Sequence, residues 1–251
     1  MRHKKSWFVR HLLIAGIAVF AVSRAQAATI GVPENLAPFG LAAANPEGQR
    51  GIYADLADAI AKNTQIPIEL KFMPYGRMLQ ELKTGGVDYA FGVVSPAIAE
   101  AGPFIAFVSK VPMVAVARKG LSLKKLDDLH NFTEVGYLRG GSCGAVVDGD
   151  AAIHRVSQDN YDSAIHKLAA GRLDGWCSIK AGFTYALNNL KMTADMGDQL
   201  DYGEVKMGFQ VTSAKAGSPE AKELATVVEK LVSDGIAGQI FTHYVGAPYT
   251  P

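Results

Sequence analysis

The sequence predicts an α/β fold of two lobes, each a mainly parallel sheet flanked by helices, joined by two crossover strands. Three observations predict it. Short apolar runs alternate with helical patterns along most of the chain, an order that implies parallel strands with right-handed crossovers. The stretch 86–118, GVDYAFGVVSPAIAEAGPFIAFVSKVPMVAVAR, holds two strands (Val87 to Val93 and Pro112 to Arg118) around a loop and a short helical turn. An isolated strand, Val205 to Thr212, follows far downstream as a return crossover. Two strands joining two lobes form a hinge rather than a flexible linker.

In order, Ala28 to Val32 reads as a short strand, and Pro33 and Pro38 keep the next loop from being helical. From Gly51 to Ala61, residues Ile52, Leu56, Ala59 and Ile60 share one helical face. A strand at Ile66 to Phe72 precedes a helix around Arg77 to Lys83 with Met78, Leu79 and Leu82 inward. Beyond the crossover come strands at Glu134 to Leu138, Ala152 to Val156 and Leu173 to Ile179, with a helix at Tyr161 to Ala170. Two helices close the chain, Pro219 to Ser233 and Ile236 to Tyr244, the first opened by Ser218 as N-cap and Pro219 at the first helical position. This division predicts lobe 1 as 28–114 plus 210–251 and lobe 2 as 115–209.

The opening 27 residues have a basic head (Arg2, Lys4, Lys5, Arg10), an apolar run from Leu12 to Val22 and a small-residue end, Ala25-Gln26-Ala27. That is the pattern of a secretory signal peptide, cleaved after Ala27. The apolar run is too short for the ~20 residues a bilayer-spanning helix needs, so no membrane insertion is expected after cleavage. Removing the five basic residues of residues 1–27 leaves 20 Lys and Arg against 24 Asp and Glu. A mildly acidic mature chain without basic runs speaks against nucleic acid as partner.

The blocks ATIGVPENLAPFG, GIYADLADAIA, LQELKTGGVDYAFG, LSLKKLDDL, VGYLRGGS and AAGRLDGWCS, in that order, resemble periplasmic solute-binding proteins of the polar-amino-acid ABC transporter type, bacterial extracellular solute-binding family 3. The resemblance covers essentially all of 28–246. It implies a periplasmic-binding-protein-like fold of type II, a helix at the LSLKKLDDL block, a periplasmic monomer without cofactor, and a small-molecule ligand held between the lobes for an inner-membrane ABC permease. It also places ligand contacts in four loops: 34–39, 92–100, 139–144 and 176–180. The residues singled out there are Glu34, Asn35, Phe39, Gly92, Val94, Ser95, Glu100, Arg139, Ser142, Cys143 and Trp176, with Tyr75 and Arg77 at a neighbouring edge. Phe39 and Trp176 would stack on an apolar or planar part of the ligand. Tyr53 reads as core packing, and Asp88 and Asp174 as structural turn residues.

The departures from the family pattern narrow the ligand. Its amino-acid binders carry an Arg after the Ser of the first binding loop, which clamps the substrate carboxylate. Here SPAIAEAG has none, and Glu100 stands at that place. The family's Asp for the α-ammonium falls on Ile179. An ordinary α-amino acid is therefore not expected; the expectation is a small polar or carboxylate-bearing molecule. Arg139 reads either as an anion contact at a strand end or as a solvated rim charge, Arg77 as a surface residue or a contact, and Glu100 as an amine contact or a helix-turn cap.

No enzyme is expected. His154 and His166 stand 12 residues apart on different elements and His243 alone, so no metal site is read. The same fold also hosts a periplasmic cyclohexadienyl dehydratase, for which Glu100 or Glu34 would be the acid, and subunits that present ligands to sensors. In a lobe of this kind the strands at 134–138 and 173–179 lie side by side. Cys143 and Cys177 could then come within the ~4.4–6.8 Å between Cα atoms that a disulfide requires. Export favours that bond, and two buried thiols are the alternative.

Overall fold

The computed structural model describes residues 26–34, 36–41 and 48–246. The signal segment ahead of residue 26 and the candidate Asn35 lie outside them. The strands are β1 (Ala28–Glu34), β2 (Ile68–Pro74), β3 (Tyr89–Val93), β4 (Phe104–Arg118), β5 (Val135–Leu138), β6 (Arg155–Gln158), β7 (Gly175–Ile179) and β8 (Met196–Val211). The helices are α1 (Ile52–Lys62), α2 (Tyr75–Thr84), α3 (Pro96–Ala99), α4 (Gly144–Asp148), α5 (Tyr161–Ala169), α6 (Lys180–Leu190), α7 (Pro219–Ser233) and α8 (Ile236–Val245).

The strand order is β2-β1-β3-β8-β4-β7-β5-β6. Within one lobe β2, β1 and β3 run parallel, and within the other β6, β5 and β7 do. Between them stand the two crossover strands, antiparallel to each other and to their outer neighbours. β4 and β8 are far longer than the sequence patterns suggest, 15 and 16 residues, because each runs through both lobes. Their mutual pairing from Phe104↔Gln210 to Arg118↔Met196 joins what read as two sheets into one eight-stranded ladder. β8 meets β3 only from Met207 onward, and β4 meets β7 only from Met113 onward. A register shift at Pro112/Val114 marks that change of partner, where proline has no N–H to give the ladder.

Local sequence explains most elements. α1 buries Ile52, Leu56 and Ile60 on one stripe. Gly51 precedes it at φ 97°, with Gly40 Cα and Phe39 O so close that a β-carbon would meet them at 2.7 and 2.8 Å. α7 is capped by Ser218, whose side chain accepts from the Ala221 N–H, and α5 by Asn160, which accepts from the Ser163 N–H. The two acids read as turn residues anchor strand starts. Asp88 Oδ2 accepts from the Thr29 N–H at 2.9 Å, and Asp174 from Arg118 Nε and the Thr133 N–H, both at 2.8 Å.

Several expectations shift. The strand placed at 152–156 is β6 at Arg155–Gln158, an edge strand paired only with β5, whose polar sequence RVSQ carries little apolar signal. The LSLKKLDDL block ends in a 3-10 turn, Leu126–Asn131, rather than an α-helix. α6 follows β7 without a break and was not read from the sequence, because Ile179 at its N-cap position makes no side-chain cap.

Candidate ligand-binding site

Among the described residues, two cavities between the lobes share Gly141 and Ser142 as a common wall. The outer one, about 670 Å³, takes Val94 to Ala97 from one lobe, Tyr137, α4, Asp148 and Arg155 from the other, and Glu204 to Lys206 from β8. The inner one, about 30 Å³, lies among Leu36, Phe39, Tyr53, Tyr75, Val93, Leu138, Tyr161 and the end of β7.

Ser95 is the N-cap of α3, its hydroxyl accepting from the Ile98 N–H at 3.3 Å, and it lines the outer chamber beside the exposed Val94. Gly92 sits inside β3, where a β-carbon would come within 2.8 Å of Gln210 Oε1. In the RGGSCG turn the Ser142 hydroxyl donates to the Asp148 carboxylate and accepts from the Gly144 N–H, and the Cys143 N–H also donates to Asp148. The Cys143 carbonyl accepts from Tyr202 Oη at 2.8 Å. Cys143 and Cys177 are joined by a disulfide with their Cα atoms 5.4 Å apart, which ties this turn to β7. The bond is the one the parallel neighbours β5 and β7 make possible.

Other sequence candidates lie elsewhere. Trp176 is not in a cleft loop. It stands inside β7, fully buried, stacked near Phe183 and edge-on to Tyr161, with Nε1 donating to Ser178 Oγ at 2.8 Å. Alternation along β7 sends Trp176 to one face and Cys177 to the other. Arg77 is 69% exposed and pairs with Glu81, four residues on in α2. Arg139 is 62% exposed and pairs with Asp159 at 2.8 Å. Glu100 closes α3 on the surface, and Glu34 ends β1; among the described residues neither lines either of these two cavities. Phe39 is buried and lines the inner cleft.

Two kinds of residue escaped the sequence reading. Arg155, at the start of β6, is 27% exposed, donates to Asp148 Oδ1 at 2.5 Å and to the Asp148 carbonyl, and lies 5.5 Å over the Tyr137 ring. Only the pairing of β5 with β6 turns it into the chamber. The other kind is two tyrosines, Tyr161 and Tyr53, the latter read as core packing; together with Tyr75, a candidate from the sequence, they line the inner cleft. Burial pushes all three phenols well above their ordinary pKa, and the Tyr75 phenol raises both of the others further. Among the described residues no group of three or more His, Cys, Asp or Glu could hold a metal, and no helix is long and apolar enough to cross a membrane.

A family model described as bacterial extracellular solute-binding proteins, family 3, matches residues 28–247. The comparison with curated proteins finds no match. Among solved structures, a histidine kinase sensor domain with similarity to periplasmic binding proteins aligns at TM-score 0.74 and 18% identity, over 89% of this chain and 97% of that one. An ancestral arginine-binding protein bound to arginine aligns at 0.71 and 23%, over 87% and 97%. The ancestral amino acid-binding protein AncCDT-1, a precursor of cyclohexadienyl dehydratase, aligns at 0.70 and 17%, over 87% and 95%. At these identities the likeness is one of fold.

Proposed function

The chain belongs to the bacterial extracellular solute-binding proteins of family 3, and from that premise we propose that it is a periplasmic receptor for an ABC importer, capturing a small polar or carboxylate-bearing molecule between its lobes. Lobe 1 comprises 28–114 and 210–251, and lobe 2 comprises 115–209. The signal segment is removed after Ala27, and the mature monomer hands its ligand to an inner-membrane permease.

The observation that carries this reading is the outer chamber. At about 670 Å³ it has the size of small-molecule sites, and its walls come from both lobes and from the crossover strand β8. A ligand there touches both halves at once, so its binding favours closure. Its chemistry differs from that of an α-amino-acid site. Arg77 and Arg139 point into solvent, and the place of the ammonium partner is taken by Ile179. The two carboxyl groups that the resemblance offered as acids, Glu34 and Glu100, line neither of these cavities, and of the carboxylates that line the outer chamber Asp148 is taken up by Ser142, Cys143 and Arg155.

The test is native mass spectrometry of the mature protein as purified, followed by thermal-shift and calorimetric screening of carboxylates, amides and the common amino acids. A ligand at a hundredfold excess over its Kd raises apparent stability by about 2.7 kcal/mol. The expected result is a bound small molecule and no tight binding of a common α-amino acid. Sub-micromolar binding of one would overturn the exclusion.

A further inference from the structure

The inner cleft contains hydroxyl groups that the protein itself leaves unused. Its two serines are already committed. Ser142 bonds Asp148 and Gly144, and Ser178 accepts from Trp176 while donating to the Ile179 carbonyl at 3.2 Å. Tyr53 is different: it is 2% exposed, yet its hydroxyl has no hydrogen-bond partner among the described residues. The Tyr75 hydroxyl has none either. Both hydroxyls border the cleft without a protein partner among the described residues, so each has its O–H free for a ligand there.

The shape of the cleft says what that occupant is. The Tyr53 ring is stacked on Phe91 at 5.4 Å and tilted against Phe39 at 5.5 Å, so its faces are covered and only its hydroxyl edge is free. This disfavours an ammonium group, which would seek the ring faces. Among the described residues no charged side chain lines the inner cleft, so a full negative charge there would be buried without a countercharge. The volume of about 30 Å³ admits one small group and no ring.

We infer that Tyr53 and Tyr75 are specificity-determining residues that donate their two O–H groups to an uncharged ligand oxygen, of a carbonyl, amide or hydroxyl, while the body of the ligand fills the outer chamber across Gly141 and Ser142. The part of the ligand that enters the inner cleft is thus a neutral amide, ketone or alcohol group. The inference rests on the receptor reading and narrows it.

Tyr53→Phe and Tyr75→Phe remove the hydroxyls and keep the rings. In the ligand-free mature protein both variants should melt close to the wild-type temperature, because neither hydroxyl bonds another described part of the protein. A Tm several degrees lower in either would show that the hydroxyl serves the fold and would overturn the proposal. Matched probes supply the second readout: nicotinamide against nicotinate and lactamide against lactate, by thermal shift and calorimetry. The neutral member should bind the wild-type chain, and either substitution should weaken it about tenfold. Preference for the carboxylate member, with equal binding by the variants, would overturn the proposal. So would a charged co-purified ligand whose affinity the substitutions leave unchanged. The receptor reading fails on a separate result: a wild-type chain that binds no small molecule of any charge class, whatever the melting temperatures of the variants.

Discussion

Arg155 and Asp148 show how one ion pair can shape a wall of the cleft. Both are about one-quarter exposed, and Asp148 also takes the Ser142 hydroxyl and the Cys143 N–H, so the pair braces the RGGSCG turn from behind. Arg155→Met should lower stability by about 1–2 kcal/mol, read by urea denaturation, because Asp148 would keep its place with one fewer partner. A neutral effect would mean that the turn is held without the guanidinium. A second residue-scale prediction concerns acid. Burial pushes the Asp174 carboxyl up, but Arg118 and Thr133 outweigh it and hold its pKa below the ordinary carboxylate value; Asp88 behaves likewise with Thr29 and Lys215. A carboxyl lowered in the folded state stabilises fully above its unfolded pKa of about 3.9 and loses that contribution as pH falls through the folded value. The melting temperature should therefore drop below about pH 4, and Asp174→Asn should be less stable at pH 7 with a shallower acid slope. A parallel slope in the variant would place the acid sensitivity elsewhere. Neither acid's partner can be read from the sequence: Asp174 meets an arginine 56 residues away, and Asp88 a lysine far down the chain.

At the scale of elements, the disulfide and the helix caps govern how firmly the cleft edge is held. Cys143 and Cys177 are 34 residues apart, and closing a loop of that length stabilises the fold by about 3–4 kcal/mol through the unfolded chain. Cys143→Ser with Cys177→Ser, or reduction of the native protein, should cost stability of that order by chemical denaturation. Thiol titration of the denatured, unreduced chain should find no free thiol. Two would show that the bond does not form. Ser218→Ala should cost about 1 kcal/mol by removing the cap of α7. That cap was legible because Ser-Pro at a helix start is a local signal. α6 was not, since its N-terminus is set by the end of β7 rather than by a capping side chain.

For the whole molecule, one contact between the lobes lies at the RGGSCG turn. Gly140, at φ 75°, has so little room that a β-carbon would meet Leu79 at 3.2 Å and Tyr75 at 3.7 Å, both from α2 in the opposite lobe. Gly140→Val should hold the lobes apart, seen as a larger radius of gyration by small-angle scattering and weaker ligand binding. An unchanged radius would mean that closure does not depend on this contact. The sequence by itself determined the α/β alternation, most helix positions, the two crossings between lobes and the lack of an Arg in the SPAIAEAG segment. These are written in local periodicity and residue type, which act over a few positions. Tertiary structure alone decided which side chains face the cleft. It buried Trp176 and turned Arg77 and Arg139 outward. It also brought Arg155 into the chamber and left the Tyr53 hydroxyl, on a ring that reads as core, open to the space between the lobes. The physical reason is that side-chain direction follows strand register and lobe apposition, and both arise from contacts between segments far apart in the chain.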